Sequence, residues 1–174
     1  RMISYEGLSH WVAQGILYAV DKNVDVINLS LGWPERVQSE LVNKAIETAH
    51  EAGVILVAGS GNDSHNASIY PCAHKHVICV GASDIEGKLS NFSNYGPHVD
   101  VLAPGESILS LIPQKVDTLD LENIYIFSDD LLAYMSGSSQ SAPMISAIAS
   151  MLKTQNKSFN EIRNLLISAS SESQ

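Results

Sequence analysis

A run of small residues at 136–143, which we call the elbow, leads directly into an apolar helix-forming stretch and could present a nucleophile. Ser139 would then lie on the first turn of a helix, beside backbone N–H groups that have no intrahelical acceptor. Such donors, together with the positive end of the helix dipole, stabilise developing negative charge. The alternative is that these serines only cap the helix, because a Gly-x-Ser-x-Ser string is a weak signal by itself.

A second candidate segment, residues 58–63, follows an apolar run that predicts a buried strand. Ligands of open α/β sheets bind outside the carboxyl ends of the strands, so Asn62 could present its amide as an oxyanion donor there. Two alternatives stand beside this one. A dinucleotide-binding fingerprint is disfavoured because Ser64 stands where a third glycine is wanted, and an Asn-Asp pair is common in tight turns without any chemistry.

The apolar periodicity predicts the elements that would position these two segments. Amphipathic stretches predict helices that begin near Leu8, Ser39, Ser138 and Ser158. Apolar, β-rich runs predict strands within residues 24–31, 54–58, 76–82 and 99–102. Because helices and strands alternate, and the run at 54–58 is apolar without interruption, we expect an α/β fold with a parallel sheet and helices on both of its faces.

A single domain is expected over residues 1–174, because the chain shows neither internal repeats nor a linker composition. Residues 114–132 are acidic and have no clear period, so we expect a surface insertion loop there. Two cysteines permit one disulfide. Cys79 nevertheless lies inside an apolar run, and this position predicts a buried free thiol.

Charge and hydropathy argue against two classes of partner. The net charge is −9 and the pI is near 4.9, whereas a nucleic-acid surface needs clustered lysine and arginine. No apolar run approaches the length that a membrane-spanning helix requires. We therefore expect neither a nucleic-acid partner nor a membrane span.

Seven motifs in a fixed order give the chain a resemblance that no single motif has. They are DVINLSLG at 25–32, AGSGN at 58–62, YP at 70–71, VICVGA at 77–82, NFSNYG at 91–96, DVLAPG at 100–105 and GSSQSAP at 137–143. In this order and at these spacings the chain resembles the subtilisin-like serine peptidases, or subtilases. The resemblance covers nearly the whole chain apart from residues 114–132, and it implies the C-terminal part of a single catalytic domain that here lacks its N-terminal strands.

The resemblance also assigns roles to individual residues. It implies that Ser139 is the nucleophile and that its own backbone N–H and the Asn62 amide form the oxyanion hole. It implies that two backbone strips hold the substrate as an added β-strand, which favours main-chain recognition. The substrate-binding positions implied in this way are Gly7, Ser30, Leu31, Gly32, Ala58, Gly59, Ser60 and Ser138.

The base and its orienting carboxylate are not accounted for in the chain. In subtilases the catalytic Asp and His precede the serine, and both would lie before Arg1. The resemblance assigns helices or surface loops to all six histidines, which are His10, His50, His65, His74, His76 and His98. We therefore expect the N-terminal half of the catalytic domain as a partner, from the same precursor or a separate chain, and expect the 174-residue segment alone to be inactive.

The alternative function is that of a catalytically inactive subtilisin-like protein that acts in binding or regulation. For the enzyme, the resemblance implies a peptide or protein substrate, no required cofactor and a secreted or extracytoplasmic location. It allows a structural calcium ion, for which backbone carbonyls of residues 72–77 with Asp100 would be the ligands.

Overall fold

Helices and strands alternate along residues 5–37, 39–112, 124–126 and 132–171, which are the residues that the computed structural model describes. The helices are α1 (Tyr5–Asp21), α2 (Glu40–Glu51), α3 (Ser138–Lys153) and α4 (Phe159–Ser171), with a short 3-10 helix at Glu35–Val37. The strands are β1 (Val26–Leu29), β2 (Trp33–Pro34), β3 (Ile55–Gly59), β4 (Ile69–Tyr70), β5 (Val77–Ser83), β6 (Val101–Pro104), β7 (Ile108–Leu111), β8 (Ile124–Ile126) and β9 (Leu132–Met135). Among the described helices, none combines the length and the apolar character that a membrane crossing requires.

The central sheet contains four parallel strands in the order β1, β3, β5, β6. β3 and β5 are buried along their whole length. Their uninterrupted apolar runs are the sequence pattern of strands that are covered on both faces. The predicted α/β fold with a parallel sheet is therefore confirmed.

Successive side chains of β3 enter two different cores, because side chains alternate between the faces of a sheet. Leu56 and Ala58 pack with the apolar residues of α1 and α2. Ile55 and Val57 pack with those of α3 and α4 on the opposite face. Helices therefore cover both faces, and the carboxyl ends of the strands are left as the edge where a site can form.

Residues 114–132 differ from the expected loop at two places, β8 and Leu132, which is the first residue of β9. β8 lies inside this stretch and pairs antiparallel with β9, which also pairs with β7. Alternating apolar residues at Ile124 and Ile126 were too few to predict a strand, and the pairing partner is supplied by distant residues. Residues 114–123 and 127–131 lie outside the described residues, so the loop stays a prediction for them.

The start of α4 forms the capping box that its sequence predicts. The backbone N–H of Ser158 donates to Oε2 of Glu161 at 2.8 Å, and the backbone N–H of Glu161 donates to Oγ of Ser158 at 3.4 Å. The Ser158 hydroxyl also donates to the carboxylate, at 2.6 Å. These hydrogen bonds to its charged form lower the pKa of Glu161.

The two cysteines correct another expectation. Cys79 is fully buried in β5, but it forms a disulfide with Cys72 and is not a free thiol. The turn after β4 brings the two Cα atoms to 4.7 Å, which is inside the range that a disulfide spans. The apolar run around Cys79 predicted the burial, while the partner depends on a turn that the run does not encode.

Candidate active site

The elbow is held against the carboxyl ends of the central strands. At β6, the backbone N–H of Gly137 donates to the carbonyl of Gly105 at 2.8 Å. At β3, the backbone N–H of Gly61 donates to Oγ of Ser138 at 3.0 Å. These contacts fix the first turn of α3 where the strands end, which is where ligands of parallel sheets bind.

The elbow can approach β3 this closely because Gly59 has no side chain. A Cβ at this position would lie 2.9 to 3.0 Å from Oγ and backbone atoms of Ser138. Its neighbours Ala58 and Ser60 are fully buried, and the Ser60 hydroxyl donates to the carbonyl of Asn94 at 3.2 Å. Gly59 thus borders the cleft as predicted from the resemblance, whereas Ala58 and Ser60 lie behind it.

Ser139 makes a reciprocal contact with Ser30, the residue that follows β1. The Ser30 hydroxyl donates to the carbonyl of Ser139 at 2.8 Å. The Ser139 hydroxyl donates to the carbonyl of Ser30 at 3.4 Å. A carbonyl oxygen is not a base that could remove the hydroxyl proton, so this contact orients the Ser139 side chain without activating it.

Asn28 and Ser146 extend this contact into a chain of hydrogen bonds that sequence reasoning missed. Nδ2 of Asn28 donates to Oγ of Ser30 at 2.9 Å, and the Ser146 hydroxyl lies 3.1 Å from Oδ1 of Asn28. These hydrogen bonds therefore tie the end of β1 to both the first and the third turn of α3. An asparagine inside an otherwise apolar strand is the signal that could have indicated it.

The side chain of Asn62 is oriented by the elbow. The backbone N–H of Ser138 donates to Oδ1 of Asn62 at 2.8 Å. With the oxygen engaged, Nδ2 is left as a donor, and within the described residues it donates to no protein acceptor. The backbone N–H of Ser139 is also among the first four of α3, which have no intrahelical acceptor. Two donors of the kind that an oxyanion needs thus flank the elbow.

A cleft of about 230 Å³ opens beside Ser139. Its lining contains Leu31, Gly32, Gly59 and Ser138, which the resemblance assigned to substrate binding. The lining also contains residues that the sequence analysis did not assign as site residues: Trp33, Pro34, Gly61, Asp63 and Ile69. These come from the two short strands β2 and β4 and from the turn after β3, whose pairing is visible only in the fold.

Gly7 is placed differently from the expectation. The resemblance assigned it to an extended edge that pairs with substrate, but it lies in the first turns of α1. A helical backbone does not offer the alternating donors and acceptors of a strand edge. Within the described residues, the strip formed by Ser30, Leu31 and Gly32 therefore remains as the candidate edge for substrate pairing.

The histidines do not provide a base for Ser139. None of them hydrogen-bonds Ser139 in the described part of the chain. His50 and His76 stack with ring centroids 3.7 Å apart, and His74 lies 5.6 Å from His76. His50 lies in the last turn of α2 and His76 precedes β5, so this cluster lies at the amino ends of the strands, at the edge of the sheet opposite to the elbow.

The histidine cluster predicts a loss of stability in mild acid. Desolvation first, and then the neighbouring imidazoles, lower the pKa of both His74 and His76 below the value of 6.5. The other charged groups that act on these two rings are Lys75, Glu47 and Glu51. Because the folded protein favours the neutral rings, the two histidines contribute to the free energy of unfolding above pH 6.5. This contribution is lost as the pH falls below 6.5.

Chemical denaturation at several pH values between 5 and 8 measures this effect. We expect the free energy of unfolding to fall towards pH 5, and to fall less in the double variant His74→Gln/His76→Gln. The exposed His10 supplies the matched control, His10→Gln, which should keep the wild-type slope. If the free energy of unfolding of the double variant fell with pH as steeply as that of the wild type, His74 and His76 would not be the cause of the pH dependence.

The residues proposed for a structural calcium ion do not fit a cation. Asp100 is nearly buried, and its Oδ1 accepts hydrogen bonds from Nε and Nη2 of Arg163 at 2.9 and 2.7 Å. Its Oδ2 accepts the backbone N–H of Cys79 at 2.9 Å. A guanidinium therefore takes the place that a cation would need at this carboxylate. Within the described ranges, no cluster of three His, Cys, Asp or Glu residues could hold a metal ion.

Replacing Arg163 should destabilise the fold, because the Asp100 carboxylate would remain buried without its partner. We expect Arg163→Met to lower the free energy of unfolding by about 1.5–3 kcal/mol, the range for hydrogen bonds to charged groups. Thermal and urea unfolding measure this loss. The exposed Arg36 gives the control Arg36→Met, which should have little effect. If Arg163→Met and the wild type had the same free energy of unfolding, the ion pair between Arg163 and Asp100 would not stabilise the fold.

Comparison with known proteins assigns the arrangement to a family. The model of the subtilase family matches residues 4–174. The thermophilic serine proteinase of Bacillus sp. (strain AK1) is 35% identical over 155 residues, which make up 89% of this chain and 34% of that protein. The major intracellular serine protease of Bacillus subtilis (strain 168) is 33% identical over 153 residues, 85% of this chain and 43% of that protein.

A solved structure agrees with the fold. The self-cleaved protease domain of PatA matches with a TM-score of 0.75 and 28% identity, over 95% of this chain and 60% of that one. The chain thus spans about a third to three fifths of the length of these proteins.

Proposed function

The chain belongs to the subtilase family, and we propose that it forms the C-terminal part of the catalytic domain of a serine endopeptidase. The observation that carries the proposal is the position of Ser139, on the first turn of α3 at the carboxyl edge of the sheet, with the Asn62 amide beside the same turn. A nucleophile and two oxyanion donors then border one cleft.

The reaction follows from this arrangement. The Ser139 hydroxyl attacks the carbonyl carbon of a peptide bond while a base takes its proton. Nδ2 of Asn62 and the backbone N–H of Ser139 stabilise the oxyanion of the tetrahedral intermediate. The intermediate collapses to an acyl-enzyme at Ser139 as the leaving amine takes up the proton. Water then attacks the ester, and the serine is restored when the acid product leaves.

The substrate is a peptide in extended conformation. Ser30, Leu31 and Gly32 are exposed, and they run from the end of β1 along the cleft beside Ser139. An exposed backbone strip of this kind can pair with a substrate main chain as an added strand. Main-chain pairing then carries much of the affinity, while the cleft selects among side chains.

The base and its carboxylate come from an N-terminal half that packs beside β1. Within the described residues β1 pairs on one side only, with β3, and it is less buried than β3 and β5. Large apolar side chains are also exposed on α1, at Trp11 and Tyr18. Open strand edges and exposed apolar surface of this kind are normally covered in a stable protein.

Peptide hydrolysis by the whole protein tests the proposal. We expect it to cleave an internally quenched peptide, and expect the segment 1–174 alone to be inactive, because its Ser139 has no base among the described residues. The second candidate is a catalytically inactive subtilisin-like protein that acts in binding or regulation. No hydrolysis by a whole protein that carries intact upstream Asp and His would favour this candidate over the enzyme.

We propose an extracytoplasmic location, and the Cys72–Cys79 disulfide supports it, because disulfides persist mainly in oxidising compartments. One relative is named an intracellular serine protease, so the family alone does not decide the location. Immunodetection in fractionated cells tests it: the protein should appear in the culture medium or the extracytoplasmic fraction, and retention in the cytosol would contradict the proposal.

A further inference from the structure

Asn94 is a buried polar residue that lies behind the turn carrying Asn62. It belongs to the NFSNYG motif at 91–96, and none of its surface is exposed. A polar side chain in the interior costs free energy unless hydrogen bonds replace its contacts with water. The partners of Asn94 therefore show which part of the fold this residue holds in place.

The amide of Asn94 joins the two sides of the turn. Its Nδ2 donates to the carbonyl of Ser60 at 3.0 Å, and its Oδ1 accepts the backbone N–H of Asp63 at 2.9 Å. The backbone N–H of His65 donates to the same oxygen at 3.4 Å. One side chain therefore binds the backbone both before and after Asn62.

The backbone of Asn94 makes two more hydrogen bonds to the same turn. Its N–H donates to the carbonyl of Gly61 at 3.0 Å, and its carbonyl accepts the Ser60 hydroxyl at 3.2 Å. The amide can come this close because Gly61 has no side chain: a Cβ there would overlap Nδ2 of Asn94. Gly61 also has a φ of 100°, which residues other than glycine rarely adopt. The backbone at position 61 is thus shaped around Asn94.

Burial does not hold the turn in place. Residues 62–67 are exposed, whereas the preceding strand β3 is buried along its whole length. At the elbow, the backbone N–H of Ser138 donates to Oδ1 of Asn62. This hydrogen bond orients the amide, but it does not fix the backbone from which the Asn62 side chain projects. Asn94 supplies hydrogen bonds that fix this backbone.

We infer that Asn94 is a positioning residue of the oxyanion hole, which holds the backbone of residues 60–63 so that Nδ2 of Asn62 points to the developing oxyanion. This inference rests on the proposed peptidase function and adds to it a residue that does not touch the substrate. An oxyanion donor acts only when it lies about 2.7–3.1 Å from the position that the oxyanion takes up. A displacement of the turn therefore weakens catalysis even when Asn62 itself is present.

Replacing Asn94 should lower kcat and leave KM nearly unchanged, because the oxyanion exists in the transition state and not in the bound substrate. A misplacement of about 1 Å caused by a remote substitution can cost about 10²-fold, and we expect Asn94→Ala to lower kcat by at least about tenfold. Steady-state hydrolysis of an internally quenched peptide by the whole protein measures both constants. Titration of the active sites with a fluorophosphonate, carried to completion, excludes misfolded molecules from kcat.

A double-mutant cycle with Asn62→Ala separates positioning from a purely structural role. If Asn94 acts through Asn62, Asn94→Ala should lower kcat by less than about twofold in the Asn62→Ala background, which is within the scatter of independent sites. If Asn94 acts only on the stability of the fold, the two falls in kcat are equal. Arg163→Met is the matched control for lost stability, because Arg163 is partly buried and hydrogen-bonded but does not line the cleft. It should keep the wild-type kcat.

Each outcome decides the inference. A fall in kcat that disappears in the Asn62→Ala background supports it. An unchanged kcat, an equal fall in both backgrounds, or an equal fall in Arg163→Met overturns it while leaving the peptidase function intact. If thermal unfolding shows that Asn94→Ala does not fold, the same cycle is run with Asn94→Asp, whose carboxylate can accept the Asp63 N–H but cannot donate to Ser60. If the wild type cleaves no peptide, the proposed function itself fails and the inference falls with it.

Discussion

Ser139→Ala in the whole protein is expected to lower kcat by about 10⁶-fold, the loss measured for the nucleophile of a member of this family. The reason is that the acyl-enzyme route needs the hydroxyl, and the methyl group that replaces it cannot attack a carbonyl. The substrate strip and the oxyanion donors would remain, so KM should change far less than kcat. Steady-state hydrolysis of a peptide measures both constants.

The matched control is Ser150→Ala, which removes an exposed serine hydroxyl from the same helix. It should keep wild-type kinetics. If Ser139→Ala retained more than a small fraction of the activity, another residue would have to be the nucleophile, and the proposed mechanism would be wrong.

Asn62→Ala is expected to have the second-largest effect, a fall in kcat of about 10²–10³-fold with little change in KM. This range was measured for an oxyanion-hole asparagine in this same family of enzymes. The effect falls on kcat because the oxyanion exists in the transition state and not in the bound substrate.

Asn62→Asp separates two explanations of that loss. The aspartate keeps an oxygen that can accept the Ser138 backbone N–H, as Oδ1 of Asn62 does at 2.8 Å, but it has no N–H to donate. If Asn62 stabilises the oxyanion, both variants lose activity. If Asn62 only positions the elbow, Asn62→Asp stays near wild type. The exposed Asn160 provides the control Asn160→Ala, which should keep the wild-type kcat and KM.

Much of the fold could be predicted from local pattern. Uninterrupted apolar runs indicated the buried strands β3 and β5, and Ser158 with Glu161 indicated the start of α4. Ser139 and Asn62 could be placed at one edge because the carboxyl ends of parallel strands meet there. These features depend on residues close together in the sequence, or on a general rule of sheet topology.

Other features depend on contacts between residues that are far apart in the sequence. For these features the local sequence pattern led to either no prediction or a wrong one. Arg163 reaches across the fold to Asp100 and takes the place that a calcium ion, allowed by the resemblance, would need there. Trp33 lines the cleft from β2, which pairs with the distant strand β4. The partner of Cys79 likewise follows from a turn outside its own strand. No periodicity encodes such pairs, because each is decided by how separate elements pack.

We propose that Ser139 is the activated nucleophile of the assembled protein. Labelling the whole protein with an active-site-directed fluorophosphonate, followed by mass mapping of the modified peptide, tests it most directly. We expect one label, on Ser139, and none in the Ser139→Ala variant. Absence of labelling in a whole protein with intact upstream Asp and His, or a label on a different serine, would contradict it.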